Sequence, residues 1–130
     1  MPSEPRWLPI RPVIESNRTL VAITGERHFL RDRGLLESAL ARPKNAFAYG
    51  EEDILLLGVR LMLGIAQAHA FEQGNKRTAF TSLRLFLRAN GYDLAVEDLE
   101  TWAGAVIALI EHRLTEEDFA RAIRPFVVER

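Results

Sequence analysis

The stretch HAFEQGNKRTAF, His69 to Phe80, places a histidine, a carboxylate, a glycine and two adjacent cations between two long apolar segments. Upstream, Ile54 to Ala68 is apolar nearly all round, and its only polar side chains, Arg60 and Gln67, are seven residues apart and share one helix face. Such a helix is surrounded by protein on its other sides. Glu51, Glu52 and Asp53 put negative charge at its start, where the helix dipole favours it. Downstream, the spacing predicts a helix from about Asn75 to Ala89, with Ala79, Phe80, Leu83, Phe86 and Leu87 as a broad apolar face and Asn90-Gly91 as a left-handed stop. Arg77, Thr81, Arg84 and Arg88 form a separate polar stripe. The polar stretch is thus a turn between two core helices, and the fold class is all-α in the main.

Working outward, DRGLLESALARP reads as a helix capped by Asp32, with Leu35, Leu36, Ala39 and Leu40 on one face and Pro43 as its end. Pro43 to Gly50 then reads as a loop or small hairpin. Pro12 to Thr24 is a strand by Thr19 to Ile23 but a helix by Pro12 at its start and Gly25 at its stop, and the helix reading is preferred. Leu99, Trp102, Val106, Leu109 and Ile110 define a fifth helix. Thr115 with Asp118 opens a sixth, with Phe119, Ala122, Ile123 and Phe126 on its apolar side.

A chain of 130 residues that is 48% hydrophobic can bury one real core, so residues 1–130 are expected to form one domain, with 1–11 as a short proline-rich arm. The formal net charge of -1 gives no global footprint for nucleic acid or an anionic membrane. The absence of cysteine excludes disulfides and thiolate metal sites and fits a reducing cytoplasm. The N-terminus lacks the apolar region of a secretory signal, and the run Ile54–Ala68 is short for a membrane span.

The chemistry lies in the turn. The N–H groups near Gly74, Asn75 and Lys76 begin a new helix and lack helical acceptors. Free amides and the positive end of the dipole suit a phosphate, and Gly74 lets it approach the backbone. Lys76 and Arg77 can neutralise a polyphosphate, although they point about 100° apart and must serve different groups. His69, across the turn, can take a proton from an attacking hydroxyl; alone it reads as a helix C-cap or packed residue ahead of a catalytic one, and its coincidence with the other parts points to phosphoryl or nucleotidyl transfer. Phe71 reads as an apolar anchor. No HExxH or Walker P-loop spacing occurs.

HAFEQGNKRTA resembles the signature of the death-on-curing, or Doc, branch of the Fic/Doc family, commonly HxFx(D/N)(A/G)NKR. The resemblance continues through RDRGLLESALARPKNAFAYGEEDI and FLRANGYDL and covers about Arg31 to Leu94. It implies a compact bundle of about six helices with a β-hairpin flap before the motif, here within Pro43 to Gly50. It also implies a cytoplasmic toxin of a toxin–antitoxin pair that moves the γ-phosphoryl group of ATP to a protein hydroxyl, as on elongation factor Tu, with a prevent-host-death type antitoxin as partner. On that resemblance His69 would be the general base, Gly74 and Asn75 would hold phosphate, and Lys76 and Arg77 would bind the remaining phosphates. Lys76 stands where Fic-type adenylyltransferases usually have glycine, which favours the kinase branch. Gln73 occupies a position that is often acidic and helps hold Mg²⁺, and its neutral amide is a poorer ligand for a hard cation; Mg²⁺ is still expected with ATP, held largely by phosphates and water or with Glu72 in place of Gln73. Adenylylation and a silenced nucleotide- or partner-binding module are the alternatives, and nucleic-acid binding ranks behind both. An exposed apolar groove for the antitoxin is expected, at an unspecified place.

Overall fold

The computed structural model describes residues 3–96 and 100–130. Its axis is α3 (Ile54–Ala68), buried along most of its length as its sequence demands. Helices α2 (Arg33–Ala48) and α4 (Asn75–Ala89) pack on two sides of it, and α1 (Ile10–Ile23) lies across α4. The short α5 (Ala103–Ile110) and α6 (Glu116–Ile123) cover the remaining face of α3. The two polar residues of α3 share a face as expected: Arg60 pairs with Glu116 at 2.9 Å, and Gln67 accepts from Arg42 at 3.1 Å. Asp53 caps α3 by accepting from the Leu55 N–H at 3.0 Å and also pairs with Arg124. No described helix is long and apolar enough to cross a membrane.

The ambiguous N-terminal segment is helical. Its inner face, Val13, Asn17 and Val21 at spacing four, is fully buried, so one polar residue sits within an apolar stripe. The arm ends at Pro9, and it is docked: Trp7 stacks on Phe86 with centroids 6.2 Å apart, and Asn90 exchanges hydrogen bonds with the Arg6 backbone at 2.8 and 3.0 Å.

Five expectations need correction, three here and two on α6. Pro43 does not end α2, which continues to Ala48, so Pro43–Gly50 holds no hairpin. A proline inside a helix removes one backbone bond and costs about 3 kcal/mol. Here Pro43 is itself buried with Leu36, Ala39 and Leu40, and packing against α3 outweighs that loss. The Ala39 carbonyl, which would have met the missing N–H, lies against Gly64, where an added Cβ would come within 3.3 Å of it. The small antiparallel sheet instead joins β1 (Tyr92–Leu94) to β2 (Val127–Glu129), with Tyr92 opposite Glu129 and Leu94 opposite Val127. Thirdly, Leu35 is 46% exposed, so the inner face of α2 rests on Leu36, Ala39 and Leu40.

Asp32 caps α2 and Thr115 caps α6, as their spacing predicts. On α6 it is Ala120, not Ala122, that is buried beside Phe119 and Ile123, and Phe126 falls in a 3₁₀ turn (Arg124–Phe126) at 41% exposure. The fifth helix is preceded by a 3₁₀ turn at Glu100–Trp102; Leu99, assigned to it from the pattern, lies outside the described residues.

Candidate active site

The turn between α3 and α4 is held from below by its own anchor. Phe71 is fully buried, and its N–H and C=O bond to the Asn75 carboxamide at 3.1 and 2.8 Å. The Asn75 side chain is therefore committed to shaping the loop, and what Asn75 can present to an anion is its backbone N–H. From the side, the chain between α1 and α2 runs along the turn: Leu30 bridges Phe71, Arg31 N–H donates to Ala70 O at 2.7 Å, and Glu72 N–H donates to Phe29 O at 2.9 Å. The Arg31 guanidinium adds bonds to the carbonyls of His69 and Phe71 at 3.3 and 3.2 Å.

His69 ends α3 in the left-handed conformation, φ 48 and ψ 40, and is exposed. Gly74 opens α4 in the same region, φ 76, where a side chain would be strained. Among the described residues the N–H groups of Gly74, Asn75 and Lys76 have no acceptor. Thr78 is the first of the helix to donate back, to Gly74 O at 2.9 Å. His69, Glu72, Gln73, Gly74, Asn75, Lys76 and Arg77 together line one open cavity of about 370 Å³. The structure thus brings every residue singled out in the motif to one place.

The two cations differ as their positions on the helix require. Lys76 is exposed and has no ion pair among the described residues. Arg77 reaches past the end of α1 to Glu26, in the segment that follows that helix, at 2.6 Å. Bonds from Thr24 and then Arg77 hold the Glu26 carboxyl below its usual range. Arg84 and Arg88 turn away from the cavity: Arg84 donates to the carbonyls of Leu94 and Val96 at 2.8 and 2.7 Å, and Arg88 pairs with Asp93.

Toward Mg²⁺ the turn offers the neutral carboxamide of Gln73 and the Glu72 carboxylate, which already pairs with Arg27 at 3.7 Å. Among the described residues no group of three or more His, Cys, Asp or Glu side chains comes together as a metal site. This donor set does not fit a divalent ion held by the protein alone.

Sequence reasoning missed three contributors: Asn17, Glu26 and His28. The signal for Asn17 was its spacing from Val13 and Val21, which makes it a polar residue on an apolar face. Nothing local marks Glu26 or His28, because their contacts with Arg77 and Asn17 depend on how α1 and its following loop pack.

The fold and the turn place the chain in a known class. A model of the Fic/DOC family matches residues 7–87, more than half the chain, and the chain belongs to that family. It is 40% identical over 80 residues to a protein named Toxin Doc from Mycolicibacterium smegmatis (strain ATCC 700084 / mc(2)155), a match that covers 59% of this chain and 60% of that one. It is 36% identical over 63 residues to Protein kinase doc of Escherichia phage P1, covering 48% of this chain and 50% of the relative. The chain therefore spans between half and three fifths of the length of these relatives.

Proposed function

We propose that this chain is a Doc-type toxin enzyme that moves a phosphoryl group from ATP to a hydroxyl of a cytoplasmic protein, with elongation factor Tu as the target. The observation that carries this reading is the common cavity: an exposed imidazole on one side, and on the other free amides at a helix start with Lys76 beside them. Phosphoryl transfer asks the protein mainly for positioning and charge stabilisation, and these groups supply both. The amides of Gly74 to Lys76 hold phosphate oxygens, and Lys76 and Arg77 offset the charge of the rest. His69 accepts the hydroxyl proton as the hydroxyl oxygen bonds to the γ-phosphorus. The bond from that phosphorus to the β,γ-bridging oxygen breaks, and ADP leaves. Mg²⁺ enters with the triphosphate as part of the co-substrate.

The name of the phage relative, Protein kinase doc, supports phosphoryl over adenylyl transfer, as does a lysine at position 76. An antitoxin partner follows from the toxin relative, and the structure offers an apolar groove of about 410 Å³ between α1 and α4 that suits one, lined by Pro12, Leu20, Thr81 and Leu85 among others. The test is the intact mass of elongation factor Tu after incubation with this protein, ATP and Mg²⁺, beside a His69→Ala variant. The expected result is a gain of one phosphoryl group that falls by about 10²–10⁴-fold in rate in the variant. A gain of an adenylyl group would reassign the reaction to the same site, and full transfer by His69→Ala would refute the base assignment.

A further inference from the structure

Asn17 is fully buried on α1, and every polar atom of its side chain has a partner. Its Nδ2 donates to Gln73 O at 2.8 Å and to Thr78 Oγ1 at 3.0 Å. A backbone carbonyl can only accept, so the nitrogen must face Gln73, and Oδ1 must face His28 Nδ1, 2.8 Å away. That oxygen can only accept in turn, so His28 carries a proton on Nδ1. The chain His28–Asn17–Gln73 is thus fixed in direction by chemistry alone.

We propose that Asn17 is the positioning residue of the phosphate-binding turn: by holding the Gln73 carbonyl inward, it turns the Gly74 N–H outward to the cavity. This rests on the reading of that turn as a phosphate site. The peptide between Gln73 and Gly74 is trans and planar, so its C=O and N–H point in opposite directions. With the carbonyl pinned toward α1, the N–H points away from α1 and has no acceptor among the described residues, and Gly74 lines the cavity. Glycine populates both signs of φ with little preference, so position 74 does not by itself hold this peptide in one orientation. A rotated peptide would aim a carbonyl oxygen at the phosphate. Burial supplies the restraint, because an Asn17 amide that let go of Gln73 would leave a donor unpaired away from water.

Asn17→Asp keeps the shape and removes the donor to Gln73. Its ATP affinity, measured by calorimetry with Mg²⁺ present, is expected to fall about 10- to 100-fold, the worth of one hydrogen bond to a charged group. Thr78→Val removes the other acceptor of Asn17 and leaves the Gln73 contact, so its affinity is expected to stay within about three-fold of the parent. Should Asn17→Asp not fold, Asn17→Ala takes its place. Crystal structures of the parent and the Asn17 variant read the peptide orientation directly. Equal losses in the Asn17 and Thr78 variants, or an unrotated Gln73–Gly74 peptide in the Asn17 variant, overturn the proposal. If the parent binds no ATP, the kinase reading fails separately, and the peptide orientation alone decides the role of Asn17.

Discussion

Replacing Gly74 by alanine tests the geometry of the turn through stability. Gly74 sits at φ 76, and an added Cβ would lie 2.9 Å from Val21 Cγ1 and 3.2 Å from Asn17 Nδ2. Left-handed backbone costs an L-residue roughly 1–2 kcal/mol. The contact with Val21, a fully packed side chain on α1, adds overpacking of roughly 1–3 kcal/mol. Alanine returns roughly 0.4–1 kcal/mol by restricting the unfolded chain. The net expectation is a loss of roughly 1–4.6 kcal/mol, read as a lower denaturant midpoint at unchanged slope in urea unfolding. Gly104 is the control, since it lies inside α5 with open space where a Cβ would go. Gly104→Ala is expected to stabilise by about 0.4–1 kcal/mol by restricting the unfolded chain. A Gly74→Ala loss below about 0.5 kcal/mol, the scatter of ordinary surface substitutions, would refute the close approach of α1 to the turn.

Two further predictions concern the residues around Arg77 and Asn17. Glu26→Gln weakens the hold on Arg77, so ATP affinity by calorimetry is expected to tighten by a few-fold, the scale of exposed ion pairs; weaker binding would mean that Glu26 orients Arg77 toward phosphate. His28 has its pKa lowered by burial and then by the charge of Arg18. The unfolded chain therefore binds the proton first as pH falls, and stability should decline below the usual imidazole value of about 6.5. Urea midpoints between pH 7.5 and 5.5 measure that decline, and His28→Gln is expected to remove its His28 share; an unchanged slope in the variant would contradict the assignment.

The parts of the fold that the sequence announces are those decided locally. Asp32 and Thr115 cap as their spacing to the following N–H groups requires, and the all-round apolar character of α3 places it at the centre. Pro43 misleads because a local stop signal yields to the packing of α2 on α3. The sheet is invisible because its three-residue strands are 35 positions apart in register, Tyr92 with Glu129 being 37 apart and Leu94 with Val127 33 apart, and neither strand is long enough to show alternation. The turn chemistry is legible because His69 to Arg77 are contiguous. Its supports are not, since Asn17 lies 56 residues from Gln73 and Glu26 lies 51 from Arg77.

His69 closes α3 in a backbone conformation that glycine adopts freely and that other residues occupy with strain. At that helix end the most stable choice and the chemically useful choice are different amino acids. Selection for heat resistance alone would exchange the imidazole for a hydrogen atom, gaining on the order of 1 kcal/mol. Variants ranked by melting temperature would then rise as they discarded the proposed base, so durability is a misleading proxy for competence at this position.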